Sequence, residues 1–205
     1  MKEIITTKAH YDILIEQDND PVHDPVPLQL YMNKWDGETF LKELNVNSES
    51  RVFELGIGTG RLAIKVLVLG CKSYVGIDLS AKTIHRAQKN LNEFNNVEFI
   101  IGDFLEIKID QTFDIIYSSL TFFHIEEKEA AIEKIFSMLN LGGRFVLSID
   151  KNPSEYFDYE THLVKLYPDY LDSTTSMLSK VGFIVDNTTE TEFAYIITAL
   201  KEEDY

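Results

Sequence analysis

Cysteine is almost missing from this chain: of 205 residues, Cys71 is the single one. One thiol forms no intrachain disulfide and cannot build a cysteine-based zinc site. Basic residues are scarce as well. Lys and Arg number 19 against 34 Asp and Glu, a formal net charge of −15, and no basic cluster stands out. Such a surface repels a phosphate backbone and an anionic bilayer, so neither nucleic acid nor membrane is an expected partner. No apolar run approaches the roughly 18 residues that a bilayer-crossing helix needs. Met1 to Thr7 lacks a basic segment followed by an apolar core, so no secretory signal is expected there. The cytoplasm is the expected compartment.

What is present is ordinary for a folded domain. Hydrophobic residues make up 44% and charged residues 26%, too apolar for a disordered chain. A chain of this size buries roughly 70% of the surface it exposes unfolded, which supports one domain without covalent staples. Three of the five prolines fall in residues 16–27 together with four acids. Proline removes a donor and restricts its predecessor, so this stretch reads as an extended loop. It separates a short helix near Thr7–Glu16 from a second near Leu28–Leu44.

From Arg51 a regular rhythm sets in. Arg51–Leu55, Ser73–Ile77, Val97–Ile101, Phe113–Tyr117 and Arg144–Ile149 read as strands. Between them Gly60–Leu69, Ala81–Phe94 and Glu126–Leu139 carry apolar residues at helical spacing, and Leu141-Gly-Gly143 breaks the last. Apolar strands alternating with helices are the mark of a parallel sheet covered on both faces. Thr174–Val181 reads as a helix ended by Gly182. Phe183–Asn187 and Phe193–Leu200 then read as two strands, close enough in sequence to pair antiparallel. The expected fold is α/β: a Rossmann-like three-layer sandwich on a seven-stranded, mostly parallel sheet with an antiparallel C-terminal hairpin.

The most informative stretch is Glu54-Leu-Gly56-Ile-Gly58-Thr-Gly60-Arg61, after a strand and before a helix. There the chain must turn tightly and let a ligand approach the backbone. A dinucleotide fingerprint spaces its glycines G-x-G-x-x-G, the third packing helix on strand. Here the pattern is acid-x-G-x-G-x-G and position 61 is Arg, which would obstruct that packing.

With Val75-Gly-Ile-Asp78-Leu-Ser80, Ile101-Gly-Asp103-Phe104, Phe113–Ser119 and Leu139–Val146 added, residues 51–149 resemble the class I S-adenosylmethionine-dependent methyltransferases. The resemblance covers about half of the chain, in the family's order. It implies S-adenosylmethionine as cofactor, S-adenosylhomocysteine as product and methyl transfer by in-line displacement. It further implies that Gly56, Gly58 and Gly60 lie against the aminoacyl end, with Glu54 ordering the loop and holding the ammonium. Asp78 would accept both ribose hydroxyls, as a carboxylate can. Leu79 would cover the adenine, Asp103 would accept from its amino group, and Phe104 would lie near the ring. Ser118 falls where the family's backbone meets the methionine portion. Taken alone, Asp78 could merely cap a helix, although Ser80 is the better cap; Asp103 could be a turn residue. Asp114 and the Gly142–Gly143 pair read as structural.

The acceptor is less legible. Adenine and glutamine methylation in this superfamily uses an Asn/Asp-Pro-Pro-aromatic segment after the fourth strand, and this chain has Tyr117-Ser-Ser-Leu120. Cys71 lies beyond the first helix, away from a place where it could serve as a nucleophile. A small-molecule acceptor is therefore expected. His124 is the candidate general base, because histidine titrates near working pH; packing against the helix at Glu126 is the plainer role. Phe122 and Phe123 are pocket wall or core. Residues 1–46 are expected to be a lid over a cofactor-binding core, 51–149, with 150–205 as the C-terminal part. Tyr11, Tyr31 and Trp35 would offer aromatic faces to a sulfonium or a cationic acceptor, or form an apolar helix stripe. Tyr156, Tyr159, His162 and Tyr167 would complete the acceptor pocket or lie on a connecting helix. Asp150-Lys-Asn152 resembles part of a magnesium site but lacks a third ligand, so no metal is expected. Two alternatives stand beside the methyltransferase: a non-catalytic cofactor sensor or partner subunit, and an NAD-dependent dehydrogenase.

Overall fold

The computed structural model describes residues 2–202. In chain order the elements are β1 (Glu3–Ile5), α1 (Thr7–Glu16), α2 (Val26–Met32), α3 (Gly37–Leu44), β2 (Arg51–Leu55), α4 (Arg61–Leu69), β3 (Ser73–Asp78), α5 (Ala81–Asn90), β4 (Val97–Ile101) and β5 (Phe113–Ser119). A single 3-10 turn, Phe122–His124, precedes α6 (Lys128–Met138). Then follow β6 (Leu139–Asp150), β7 (Tyr156–Asp158), β8 (His162–Lys165), α7 (Leu171–Val181), β9 (Ile184–Glu190) and β10 (Ala194–Leu200).

Seven strands form the central sheet in the order β4-β3-β2-β5-β6-β10-β9. The pairs from β4 to β6 are parallel, and β10 pairs antiparallel with both β6 and β9. This is the expected sheet with its reversed edge hairpin. Strand side chains alternate between its faces. On one face Phe53, Leu55, Ile116, Phe145 and Leu147 pack with Ile132 and Ile135 of α6 and Leu178 of α7. On the other, Val52, Ile115, Tyr117 and Val146 pack with Phe40 of α3, Leu62 and Val66 of α4 and Ile84 of α5. Burying a side chain of this size stabilises by roughly 1.5–3 kcal/mol. The two layers of helices thus fix the sheet, and the sheet fixes where the loops at its strand ends lie.

Several boundaries differ from those expected. The helix near Leu28–Leu44 is two helices, α2 and α3. Asp36 interrupts it by accepting the Gly37 N–H at 2.6 Å, with Gly37 at φ +63°. The proline-rich loop ends earlier than residue 27, because α2 begins at Val26 and places Pro27 in its first turn. A proline costs nothing there, since that N–H has no helical partner. The helix from Ala81 stops at Asn90, and β6 starts at Leu139, through the two glycines. Tyr156–Lys165 is not a connecting helix. Its strands β7 and β8 join β1 in a second sheet, order β1-β8-β7. β1 and β7 have three residues each, too few to show a period in sequence. Among the described residues no helix is long and apolar enough to cross a membrane.

Candidate active site

A cavity of about 680 Å³ opens at the carboxyl ends of β2, β3 and β5. In an open parallel sheet this is where ligands bind, because the chain leaves adjacent strands toward opposite faces there. Its floor is the glycine loop. Gly56 sits at φ +83°, and a Cβ on it would lie 2.1 Å from Thr121 Oγ1. Gly58 has φ +57° and open space where its Cβ would be. The first glycine is needed for close approach of chain to chain, and the second leaves a cradle that a ligand can fill.

Asp78 ends β3 beside that cradle. Its carboxylate accepts the Gly58 N–H at 3.1 Å and the Ser80 N–H at 2.9 Å. Burial pushes it up to about 6, against these backbone donors. Ser80, not Asp78, caps α5 by accepting the Thr83 N–H at 3.0 Å, a contact worth about 1 kcal/mol. Leu79, Asp103 and Phe104 line the same end of the cavity. Asp103 is exposed and accepts the Leu105 N–H at 2.8 Å, while Phe104 is buried against Phe53.

Glu54 is buried at the opposite end, with its carboxyl turned to the hydroxyl of Tyr74 and beside that of Tyr117. Burial raises it to about 8 despite those donors. Next to it lies a buried ion pair that the sequence did not announce. Arg61 donates to both carboxylate oxygens of Asp36, at 3.1 and 2.5 Å, and Ser119 Oγ donates to the same carboxylate at 2.9 Å. The pairing holds Asp36 below the usual carboxylate range in spite of burial. Arg61 therefore ties the glycine loop to the turn between α2 and α3. The signal was an arginine opening a helix rich in Leu, Ile and Val, where a charge taken out of water needs a partner.

α1 closes the cavity from above, with Thr7 and Tyr11 in its wall. Tyr11 Oη lies 3.0 Å from His124 Nε2, and Thr7 Oγ1 3.3 Å from His124 Nδ1. Burial pulls His124 down to about 3 and pushes Tyr11 well up. α1 is held by Asp12, which accepts from Ser80 Oγ at 2.6 Å, and by the buried pair His10 Nδ1 and His162 Nε2 at 2.9 Å. His10 is lowered to about 4 by burial and by the neighbouring His162. Pro21 and Met32 continue the wall, and Tyr167 completes it from the chain beyond β8.

The structure thus brings Glu54, Gly56, Gly58, Asp78, Leu79, Asp103, Phe104, Tyr11 and His124 together around one cavity. Others lie elsewhere. Gly60, at φ +98°, caps α4 with Leu91 3.1 Å from where its Cβ would be. The Ser118 side chain is buried and donates to the Leu55 carbonyl at 3.0 Å, so Ser119 and Leu120 face the cavity instead. Strand alternation turns Ser119 to the side opposite Ser118, and Leu120 lies just past the end of β5 at φ +56°. Tyr31 and Trp35 do not reach the cavity. Their rings pack on Phe193 at 5.7 and 4.7 Å, and Trp35 Nε1 donates to Asp150 at 3.2 Å. Phe123 packs against His124 with the two rings tilted, and Phe122 is core. Asp114 is structural, accepting from Arg51 N and Asn140 Nδ2.

An open α/β sheet with a glycine loop and an acid at adjacent strand ends defines a Rossmann-like, nucleoside-binding class of protein. Comparison with known families is more specific. The model of the methyltransferase domain family matches residues 46–192, and the chain belongs to that family. An uncharacterized methyltransferase of Anoxybacillus flavithermus is 30% identical, over 84% of this chain and 88% of its own. Another from Staphylococcus carnosus is 27% identical, over 93% of this chain and 94% of its own. Among solved structures, the N-methyltransferase NodS from Bradyrhizobium japonicum, in complex with S-adenosylhomocysteine, superposes with a TM-score of 0.73. It is 16% identical and covers 96% of this chain and 99% of its own, a likeness of fold.

Proposed function

We propose that this chain transfers a methyl group from S-adenosylmethionine to a small-molecule acceptor inside the cavity under α1. The observation that carries the reading is the Asp78 carboxylate beside the Gly58 cradle, both opening on one cavity. A carboxylate at that strand end suits a vicinal diol. The cradle at Gly58 leaves room for the aminoacyl portion, and buried Glu54 suits its ammonium. A cation beside Glu54 favours its ionised form, so binding draws its proton off. Leu79, Phe104 and Asp103 would take the adenine. The cofactor supplies an activated methyl group, and the chain supplies alignment, worth up to about 7–11 kcal/mol in well-oriented systems. Residues 1–46 act as the lid on this reading, through α1, Pro21 and Met32.

Calorimetric titration with S-adenosylmethionine, S-adenosylhomocysteine and NADH tests it. Binding of both adenosyl compounds and not NADH is expected. Binding of NADH alone would mean a dinucleotide site. Binding of the adenosyl compounds with no methyl transfer to a broad small-molecule panel would point to a sensor.

A further inference from the structure

Thr7 and Tyr11 stand one turn apart on α1, and both reach the ring of His124. A neutral imidazole has one N–H and one acceptor nitrogen, and burial keeps His124 neutral. A phenol is a stronger acid than an alkyl hydroxyl. The arrangement that uses the stronger acid as donor has Tyr11 donating to Nε2 and Nδ1–H donating to Thr7 Oγ1. Tyr11 lines the cavity, and with its hydrogen committed to this bond its oxygen is left as an acceptor. What it holds must donate an N–H or an O–H.

The charges of the wall narrow the choice. Among the described residues Arg61 is the one lysine or arginine lining the cavity, and Asp36 already neutralises it. Asp103, Glu106, Glu126 and Glu127 face the same space. An anionic acceptor would meet carboxylates there and no uncommitted cation. An alcohol would have to shed its proton as it attacks. Passed through Tyr11, that proton would end on His124 as a buried imidazolium, which desolvation opposes. A neutral amine attacks with its lone pair and needs no base in that step; an alkylammonium first loses its proton to water.

We propose that the acceptor is a small, non-anionic amine whose N–H is held by Tyr11 Oη, with His124 and Thr7 positioning that phenol. The proposal rests on the methyltransferase reading above. The nitrogen lone pair forms the new bond to the methyl carbon as the carbon–sulfur bond breaks, and that electron pair stays on sulfur. The nitrogen becomes an ammonium, which the acidic wall tolerates, and its proton leaves to water.

The test combines a spectroscopic and a kinetic measurement on the full chain. Nitrogen NMR of labelled histidine should show His124 neutral, protonated on Nδ1, between about pH 5 and 9. Tyr11→Phe should move its Nε2 resonance. With S-adenosylmethionine carrying a labelled methyl, a panel of small amines, alcohols, carboxylates and phosphates should give label in amines. Tyr11→Phe should then raise KM for a labelled amine about tenfold, the loss of one hydrogen bond, with a smaller effect on kcat. His124→Gln should do the same, and both variants should keep S-adenosylhomocysteine affinity within about threefold. Label confined to alcohols or anions would overturn the proposal, as would an Nε2–H tautomer of His124 or an unchanged KM in Tyr11→Phe. Cofactor binding with no amine labelled would overturn it too. Failure of the wild type to bind S-adenosylhomocysteine would instead overturn the reading beneath it.

Discussion

The floor and the roof of the cavity are held in different ways. The floor stands on β2, which is bonded on both sides, to β3 and β5, and lies between two layers of helices. Its loop is fixed by backbone bonds such as Gly56 N–H to the Ile77 carbonyl at 3.0 Å. The roof, α1 with β1, β7 and β8, is a small sheet and one helix joined to the rest by side chains. Its links include His10–His162, Asp12–Ser80, Glu16–Lys82 and Arg86 with Asp18 and Asp20. Of these, the Glu16–Lys82 and Asp18–Arg86 pairs are solvent-exposed and worth about 0–1 kcal/mol each, so the roof should open at lower free energy than the floor. On the proposed function, a fixed floor would hold the reactive geometry and an opening roof would let acceptor in and product out.

The floor's own tie to the turn between α2 and α3 is the Asp36–Arg61 pair, and removing it should have the largest effect. Asp36→Ala leaves a guanidinium buried without a partner and should cost about 3–5 kcal/mol of global stability by urea denaturation. A loss below 1 kcal/mol would mean that the pair does not hold the glycine loop to that turn.

Asp78→Ala should leave the fold intact and weaken S-adenosylhomocysteine binding by about 1.5–3 kcal/mol, measured by calorimetry. An unchanged affinity in a folded protein would remove Asp78 from the floor's function. Its titration gives a second check. On the proposed reading the ionised carboxylate would accept the ribose hydroxyls, and burial pushes Asp78 up to about 6 in the unliganded protein. Affinity should therefore rise as pH climbs through about 6 and level off above it. In Asp78→Asn that rise should vanish. The stability of the unliganded protein should run the other way. Glu54 binds its proton more tightly folded than unfolded, up to about 8, so its contribution declines as pH rises from the ordinary carboxylate range to about 8.

The smallest global effects should come from the roof. His10→Asn should speed amide exchange in α1 and β8 while changing global stability by less than about 1–2 kcal/mol. Uniform acceleration across the central sheet would show that the roof and floor unfold as one.

The contrast also explains what could be read in advance. The floor is spelled by contiguous runs, Glu54–Gly60, Asp78–Ser80 and Asp103–Phe104, because a loop that follows a strand carries its ligand-binding residues beside one another. The roof is gathered from distant positions. Tyr11 and His124 lie 113 residues apart, and His10 and His162 lie 152 apart. No local period marks such a pair, and three-residue strands such as β1 carry almost no signal. His124 was visible as a histidine after β5, but its neutrality and its tyrosine partner belong to tertiary structure. Tyr31 and Trp35 show the opposite error. Their spacing marked an aromatic face, and the β9–β10 hairpin, through Phe193, took that face instead of the cavity.

A crystal structure of the complex with S-adenosylhomocysteine tests the central claim most directly. The account predicts both ribose hydroxyls on the Asp78 carboxylate, the aminoacyl end over Gly58, and the sulfur facing the space below Tyr11. A ribose bound away from Asp78, or a ligand outside the cavity under α1, would contradict it.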